Sequence, residues 1–185
     1  MAIRNTADLP GQLRSTDRLP SRTRAVAQCV EEEFTISKSS GNPMIVRTWE
    51  VRFPEAVSIN GAAKGLAGLQ VKQYLPTIVL VDGKRDDTKS NSALARIRDE
   101  NKTLGIPYDA IDDENPELLA KGIYADVNLG SDEYAISNPP TPEEVALGKK
   151  VGSPKIGADG KPEMGYRVKL EGVLGKATPV AGQVW

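Results

Sequence analysis

The hydrophobic pattern is clearest between residues 24 and 53, where two long runs flank a polar turn. The second run, residues 44–53, is rich in β-branched and aromatic side chains, which is typical of a strand. Residues 37–43 before it contain only Ser, Lys, Gly, Asn and Pro, which neither propagate a helix nor pair in a ladder. The pattern predicts two long strands, residues 24–36 and 44–53, joined as a curved hairpin.

The second arm of this hairpin does not alternate cleanly between apolar and polar residues. Apolar side chains occupy both parities over residues 44–46 and settle on the odd positions, Val51 and Phe53, at its end. One explanation is a β-bulge near residues 46–48, which would also coil the strand as the closure of a small barrel requires. The other is a strand that is buried on both faces at one end. The pattern is compatible with either.

Three further segments are predicted to be strands. Residues 70–81 form the first of them, and Pro76 within it indicates a sheet edge or a bulge. Residues 122–130 alternate strictly between apolar and polar side chains, as a half-buried strand does. Residues 166–174 alternate in the same way and complete a set of five strands.

One helix is predicted between the third and fourth strands. Residues 86–92 are rich in Asp and Ser and offer several N-caps. Apolar positions then recur at helical spacing as far as Leu104, and Gly105 and Pro107 end the helix. The apolar stripe is narrow, so the helix is expected to cover one end of a sheet.

The remaining segments lack regular periodicity. Residues 1–21 are predicted to be an extended arm, and residues 176–185 a short apolar tail that ends in Trp. The glycine-rich residues 54–69 are predicted to be a surface loop. Residues 137–165 contain five prolines and are predicted to be a long loop, in which Asp159-Gly160 is a turn signal for a small hairpin.

Composition limits the number of domains and the kind of chemistry. A chain of 185 residues, 39% of them hydrophobic, can bury one core, and we expect one domain over residues 22–175. The chain has no His and a single Cys, Cys29, which excludes a typical zinc site and a His-based catalytic triad. We therefore expect neither an enzyme nor a bound cofactor. The lone thiol fits a reducing compartment, and neither a membrane span nor a signal peptide is expected.

Charge is distributed unevenly along the chain although the net charge is only −1. Residues 1–24 are basic, residues 108–133 are strongly acidic, and residues 147–169 are basic again. Such asymmetry permits a local site for a polyanion on a nearly neutral protein. The alternative is that each charged run is an ordinary solvated face.

Aromatic rings interleaved with cations on a sheet are what a protein needs to hold single-stranded nucleic acid. Trp49, Tyr74 and Tyr124 are the candidates for stacking on bases, although Trp49 has the parity of a core residue and Tyr74 is equally compatible with the rim of the core. The candidates for phosphate contacts lie on the hairpin, on the third and fifth strands and in the long loop: Lys38, Arg47, Arg52, Lys72, Lys149, Lys150, Arg167 and Lys169.

The order of the predicted elements is that of an OB-fold, a five-stranded and partly open barrel with its helix between strands three and four. Over residues 24–175 the chain resembles the phage-encoded OB-fold single-stranded DNA-binding proteins, through the segments 36–46, 104–107 and 119–127. The resemblance implies sequence-independent coating of single strands in viral DNA replication or recombination, in the cytoplasm of an infected bacterial host. The implied partners are single-stranded DNA, further copies of the protein and replication or recombination proteins, without a membrane.

The C-terminus departs from this family. Such proteins often end in an acidic tail that recruits partners, whereas residues 179–185 here are Pro-Val-Ala-Gly-Gln-Val-Trp. Residues 179–185 thus lack the acidic charges through which the family implies this recruitment.

Two other functions are compatible with the sequence. One is a structural or assembly protein of the virion that uses the barrel as a protein-docking module, which suits the proline-rich loop and the apolar tail. The other is a metal-dependent nuclease, which needs clustered carboxylates such as Asp109, Asp112, Asp113 and Glu114.

Overall fold

The computed structural model describes residues 11–178, which form ten strands and two helices. In chain order these are β1 (Gly11–Gln12), β2 (Thr23–Ile36), β3 (Pro43–Phe53), β4 (Ala56–Ile59), β5 (Ala62–Gly65), β6 (Gln70–Pro76), β7 (Leu80–Val81), β8 (Lys84–Arg85), α1 (Asp87–Leu104), β9 (Tyr124–Ala135), α2 (Pro142–Ala146) and β10 (Met164–Lys176).

Five of the strands form one antiparallel sheet in the order β10–β9–β2–β3–β6. The central strand β2 pairs with β3 on one side and with β9 on the other, so β6 and β10 are the edges. Helix α1 lies in the chain between β6 and β9, the third and fourth strands of this sheet. The predicted mainly β class is confirmed. Among the described residues no ladder joins β6 to β10, so backbone hydrogen bonds do not close the sheet into a barrel.

The mixed pattern of the second hairpin arm arises because β3 is buried on both faces. Residues 44–49 are all buried, although their side chains alternate between the two faces of the sheet. The bulge expected near residues 46–48 lies on the partner strand instead. There Val30 is the extra residue between Cys29 and Glu31, which pair with consecutive residues of β3.

This bulge changes which positions of β2 face inward. Before it, the buried Cys29 lies opposite Trp49. After it, Glu32 lies opposite Arg47, and its side chain is fully buried. Paired residues share a face of the sheet, so the inward positions of β2 change from odd to even at the bulge. Glu33 therefore faces outward.

Two short hairpins were not predicted. Residues 54–69, expected to be a surface loop, form β4 and β5 around Asn60 and Gly61, whose φ angles are 51° and 80°. An Asn-Gly pair with both φ values positive makes the turn that matches the twist of a hairpin, and this signal was missed. The predicted third strand, residues 70–81, is divided after Pro76 into β6 and β7, and β7 pairs with β8. Since β6 is an edge strand, Pro76 occupies a position that tolerates it.

The predicted helix is confirmed as α1, with the expected caps. The carboxylate of Asp86 accepts a hydrogen bond from the backbone N–H of Lys89, which lowers the pKa of that carboxyl. At the other end Gly105 has a φ of 70° and its N–H bonds to carbonyls of the last turn. Across residues 11–178 no helix has the length and apolar character that crossing a membrane requires.

Two apolar clusters fill the space beneath the sheet. The smaller one joins α1 to β3 and β6 through Ile45, Leu75, Leu94 and Ile97. The larger one contains Trp49, and the indole Nε1 donates a hydrogen bond to Gln73 Oε1 at 2.9 Å. Its buried members include Leu19, Cys29, Trp49, Val51, Leu66, Val71, Leu104, Val127 and Leu129.

A buried polar network joins α1 to the hairpin. The guanidinium of Arg47, whose side chain is 1% exposed, donates from Nε to Glu32 at 2.7 Å, from Nη1 to Glu100 at 2.6 Å and from Nη2 to Asn101 at 2.7 Å. Glu100 also accepts a bond from Gln73 Nε2 at 2.7 Å, and the second oxygen of Glu32 accepts the backbone N–H of residue 120 at 2.7 Å. The network thus connects β2, β3, β6, α1 and the loop before β9.

The described part of the predicted N-terminal arm packs on the domain. β1 pairs in parallel with β5, and Leu19 is buried in the larger cluster. The carboxylate of Glu171 on β10 accepts hydrogen bonds from the backbone N–H of Arg22 and the hydroxyl of Ser21, and these bonds lower the pKa of that carboxyl. Residues 1–10 of the arm and 179–185 of the tail lie outside the described residues.

We expect Arg47→Ala to destabilise the fold strongly, because it leaves two buried carboxylates without their cation. Removing one partner of a buried pair costs about 3–5 kcal/mol. Urea unfolding followed by circular dichroism measures the loss. Arg98→Ala is the control: Arg98 is exposed on α1, and such a change is expected to stay within about 0.5 kcal/mol.

If Arg47→Ala does not fold, Arg47→Lys tests the same network. It keeps the charge but lacks the planar fork that reaches three acceptors, so a smaller loss is expected. A loss below about 1 kcal/mol in Arg47→Ala would contradict this role. Where that variant does not fold, a free energy of unfolding equal to wild type in Arg47→Lys would contradict it.

We expect Cys29 to be inert towards thiol reagents in the folded protein. Burial raises the pKa of its thiol to about 12, and the nearby Glu32 carboxylate acts in the same direction. At neutral pH the reactive thiolate is therefore scarce, and labelling by a disulfide reagent requires unfolding. Absorbance should show slow reaction in buffer and rapid stoichiometric reaction in denaturant. Rapid labelling without denaturant would show that this part of the core is open.

Candidate nucleic-acid interface

The outer face of β2, β3 and β6 is built from rows of three side chains. One row is Glu31, Thr48 and Lys72, and the next is Glu33, Val46 and Tyr74. A third row is Thr35, Met44 and Pro76. The register places polar residues on β2, mostly apolar ones on β3, and a cation with an aromatic ring on β6.

This face carries the hairpin pocket, a cavity of about 710 Å³ beside the β2–β3 turn. Its floor is formed by two apolar side chains, Met44 and Val46, which are 8% and 3% exposed. Tyr74 stands beside the floor and is 58% exposed. The lining residues are Glu33, Thr35, Ile36, Ser37, Lys38, Ser39, Met44, Val46, Lys72 and Tyr74.

A second cavity of about 430 Å³, the edge pocket, lies between the two edge strands β6 and β10, with α1 beside it. Both pockets include Lys72 and Tyr74, so the two adjoin on either side of β6. We call them together the groove. The edge pocket is lined by Lys72, Gln73, Tyr74, Arg96, Asp132, Arg167, Val168, Lys169 and Leu170.

The groove is cationic. Among residues 11–178, five cations line it against two carboxylates, Glu33 and Asp132. Lys169 is paired with Asp132 at 2.7 Å, and the hydrogen bond that its ammonium donates to the Asp132 carboxylate raises the pKa of Lys169. Within residues 11–178 the other four cations have no ionic partner: Lys38, Lys72, Arg96 and Arg167. Each can contact a phosphate without first breaking an ion pair.

Several of the predicted binding residues meet in the groove although they are far apart in the chain. They come from the β2–β3 turn, from β6 and from β10: Lys38, Lys72, Tyr74, Arg167 and Lys169. Arg96 was missed. In the sequence it is one of several charged residues on the exposed side of α1, and only the packing of α1 beside β6 distinguishes it from Arg98.

Two of the predicted binding residues, Arg47 and Trp49, lie on the inner face of the sheet and not in the groove. Arg47 is buried among Glu32, Glu100 and Asn101 and is not accessible to a phosphate. Trp49 is 1% exposed and belongs to the core, which decides between its two predicted placements.

Three further candidates on the hairpin, on β9 and near α2 do not line the groove. Arg52 donates to Glu50 at 2.6 Å and to Gln28 at 2.8 Å. Tyr124 is half-buried at the start of β9. Lys149 lies 3.5 Å from a carboxylate oxygen of Glu144.

The loop that carries Lys149 and Lys150 has local structure of its own. Thr141 and Glu144 form a capping box at the start of α2. The hairpin predicted at Asp159-Gly160 is confirmed by the antiparallel bridge between Ile156 and Pro162. Lys150 is exposed, and like Lys149 it lies away from both pockets.

The acidic residues that a nuclease would need are engaged in local contacts. Asp113 pairs with Arg85 at 2.7 Å, and Asp112 accepts the backbone N–H groups of Glu114 and Asn115. In the part of the chain that the structure describes, no three His, Cys, Asp or Glu side chains are grouped to hold a metal ion.

In comparisons with known proteins, no family model matches this chain, and neither a curated protein nor a solved structure shows significant similarity to it.

Proposed function

We propose that this protein binds single-stranded DNA without reading its sequence, along the groove. The observation that carries this proposal is the exposed ring of Tyr74 between two pockets whose cations are largely unpaired. Such a ring stacks on a base of any identity, and the cations beside it contact backbone phosphates. Both kinds of contact are common to all nucleotides, so the binding does not depend on sequence.

We further propose that the sheet is the partly open barrel of an OB-fold. The five strands, the central position of β2 and the helix between the third and fourth strands support this assignment. In OB-folds the face of strands two and three and the loops that follow strands one and four bind oligonucleotides. Here the same face carries Val46, Lys72 and Tyr74, and the first of those loops carries Lys38.

The biological role that we propose is DNA replication or recombination of a bacteriophage, in the cytoplasm of an infected host. The resemblance of segments 36–46, 104–107 and 119–127 to the phage-encoded proteins supports this role. Single-stranded DNA is then the principal partner, beside further copies of the protein and other replication or recombination proteins.

A second candidate function is a structural or assembly protein that docks other proteins. One observation favours it: four large apolar side chains in and after α2 are between 56% and 78% exposed, namely Val145, Leu147, Val151 and Ile156. Titration of a labelled oligothymidylate separates the two functions. Binding at low salt that weakens as salt rises supports the proposal, and no binding at low salt favours the docking module.

We expect Tyr74→Leu to weaken oligothymidylate binding, because leucine keeps apolar bulk but offers no ring for a base. Loss of one base–aromatic stack is worth about 1–3 kcal/mol. Tyr74→Phe is the matched control, since it keeps the ring, and it should bind as wild type does. Fluorescence anisotropy of the labelled oligonucleotide measures all three affinities, and equal affinities would remove Tyr74 from the site.

Arg96 and Arg98 provide a matched pair for the electrostatic part of the proposal. Two residues apart on a helix, they point in nearly opposite directions, and only Arg96 lines the groove. We expect Arg96→Gln to flatten the dependence of log Kobs on log salt by roughly 0.7, the contribution of one phosphate contact on a single strand. Arg98→Gln should leave the slope unchanged. Equal slopes in the two variants would contradict the proposal that DNA lies in the groove.

A further inference from the structure

The row formed by Glu33, Val46 and Tyr74 crosses the floor of the hairpin pocket. Glu33 is opposite Val46 on β3, and Val46 is opposite Tyr74 on β6. All three side chains line the pocket. Two strand spacings separate Glu33 from Tyr74, which is roughly 10 Å between their backbones. A ring that lies over Val46 against Tyr74 therefore has one edge towards Glu33.

The Glu33 carboxylate is available to a ligand. Within residues 11–178 it has no hydrogen-bond or ion-pair partner. Glu31, the next carboxylate on the same face of β2, differs in this respect, because Thr48 Oγ1 lies 3.4 Å from its Oε2. Glu33 thus places an unused acceptor at the rim of an apolar, ring-lined pocket.

A carboxylate in this position favours one kind of ligand atom. It repels phosphate, so the backbone of a bound strand passes beside the cations of the groove instead. An ionised carboxylate only accepts hydrogen bonds, so the group that faces it must be a donor. Among the pyrimidines, cytosine presents an exocyclic amino group, whereas thymine and uracil present a carbonyl oxygen at the same position.

We propose that the hairpin pocket is a base-binding subsite in which Glu33 accepts a hydrogen bond from an exocyclic amino group, so that it prefers cytosine to thymine or uracil. This inference rests on the proposed binding of single-stranded DNA and adds a preference for base composition at one position. The base packs over Val46 against Tyr74, and Lys38 and Lys72 hold the adjoining phosphates.

The test compares oligodeoxycytidylate with oligodeoxyuridylate of the same length, at neutral pH and one salt concentration. Uracil lacks the methyl group of thymine, so cytosine and uracil differ only on one edge, where cytosine has an amino group and an unprotonated N3 and uracil has a carbonyl oxygen and an N3–H. We expect wild type to bind the cytidylate roughly tenfold more tightly, the size of one charge-assisted hydrogen bond. In Glu33→Gln the preference should fall within about twofold, because an amide turns either its carbonyl or its NH2 to the base.

Glu31→Gln is the matched control, with the same change of charge on the same face of the same strand. It should keep the preference for cytosine, although both oligonucleotides bind more tightly as one negative charge is lost. Loss of the preference in Glu31→Gln as well as in Glu33→Gln would assign it to general electrostatics and overturn the inference. Equal binding of both oligonucleotides by wild type also overturns it, while the proposed function stands. Binding of neither overturns the proposed function.

Discussion

The position of α1 depends on one buried cation. Moving a guanidinium out of water costs several kcal/mol, which only a complete set of acceptors offsets. Those acceptors come from β2 through Glu32 and from α1 through Glu100 and Asn101. Apolar contacts alone tolerate sliding of a helix on a sheet, whereas a set of directional bonds to one planar group specifies a single arrangement. Because the same helix carries Arg96 to the edge of the sheet, Arg47 shapes the groove without being part of it.

The two faces of β2, β3 and β6 have separate roles. The inner face holds the cation and its acceptors out of water, together with Trp49. The outer face keeps a ring, an apolar floor and unpaired cations in contact with solvent. The bulge at Val30 links the two roles, because it sets the parity of the later part of β2 and so decides that Glu32 turns inward and Glu33 outward.

The local part of this structure could be predicted from the sequence. Strand and turn propensities give the β2–β3 hairpin, the caps and apolar spacing give α1, and the period of two puts Lys72 and Tyr74 on one face. The burial of Arg47 could not be predicted, because it depends on partners 53 and 54 residues later in the chain. Without those partners in view, an arginine in a strand is expected to lie on the surface. Arg96 could not be predicted either, because its place in the groove depends on the packing of α1 beside β6 and β10. The hairpin around Asn60-Gly61, by contrast, could have been predicted from the sequence, because an Asn-Gly pair is a strong hairpin signal.

In the proposed complex with DNA, the ion pair between Lys169 and Asp132 affects what a salt titration reports. A free lysine that neutralises a phosphate releases a cation from the nucleic acid, and this release makes binding sensitive to salt. When a phosphate replaces Asp132 on Lys169, the displaced carboxylate attracts a cation in turn, which offsets part of that release. The contact then releases fewer ions than a contact made by an unpaired lysine. In that complex the slope of the salt dependence would therefore indicate fewer phosphate contacts than the groove makes.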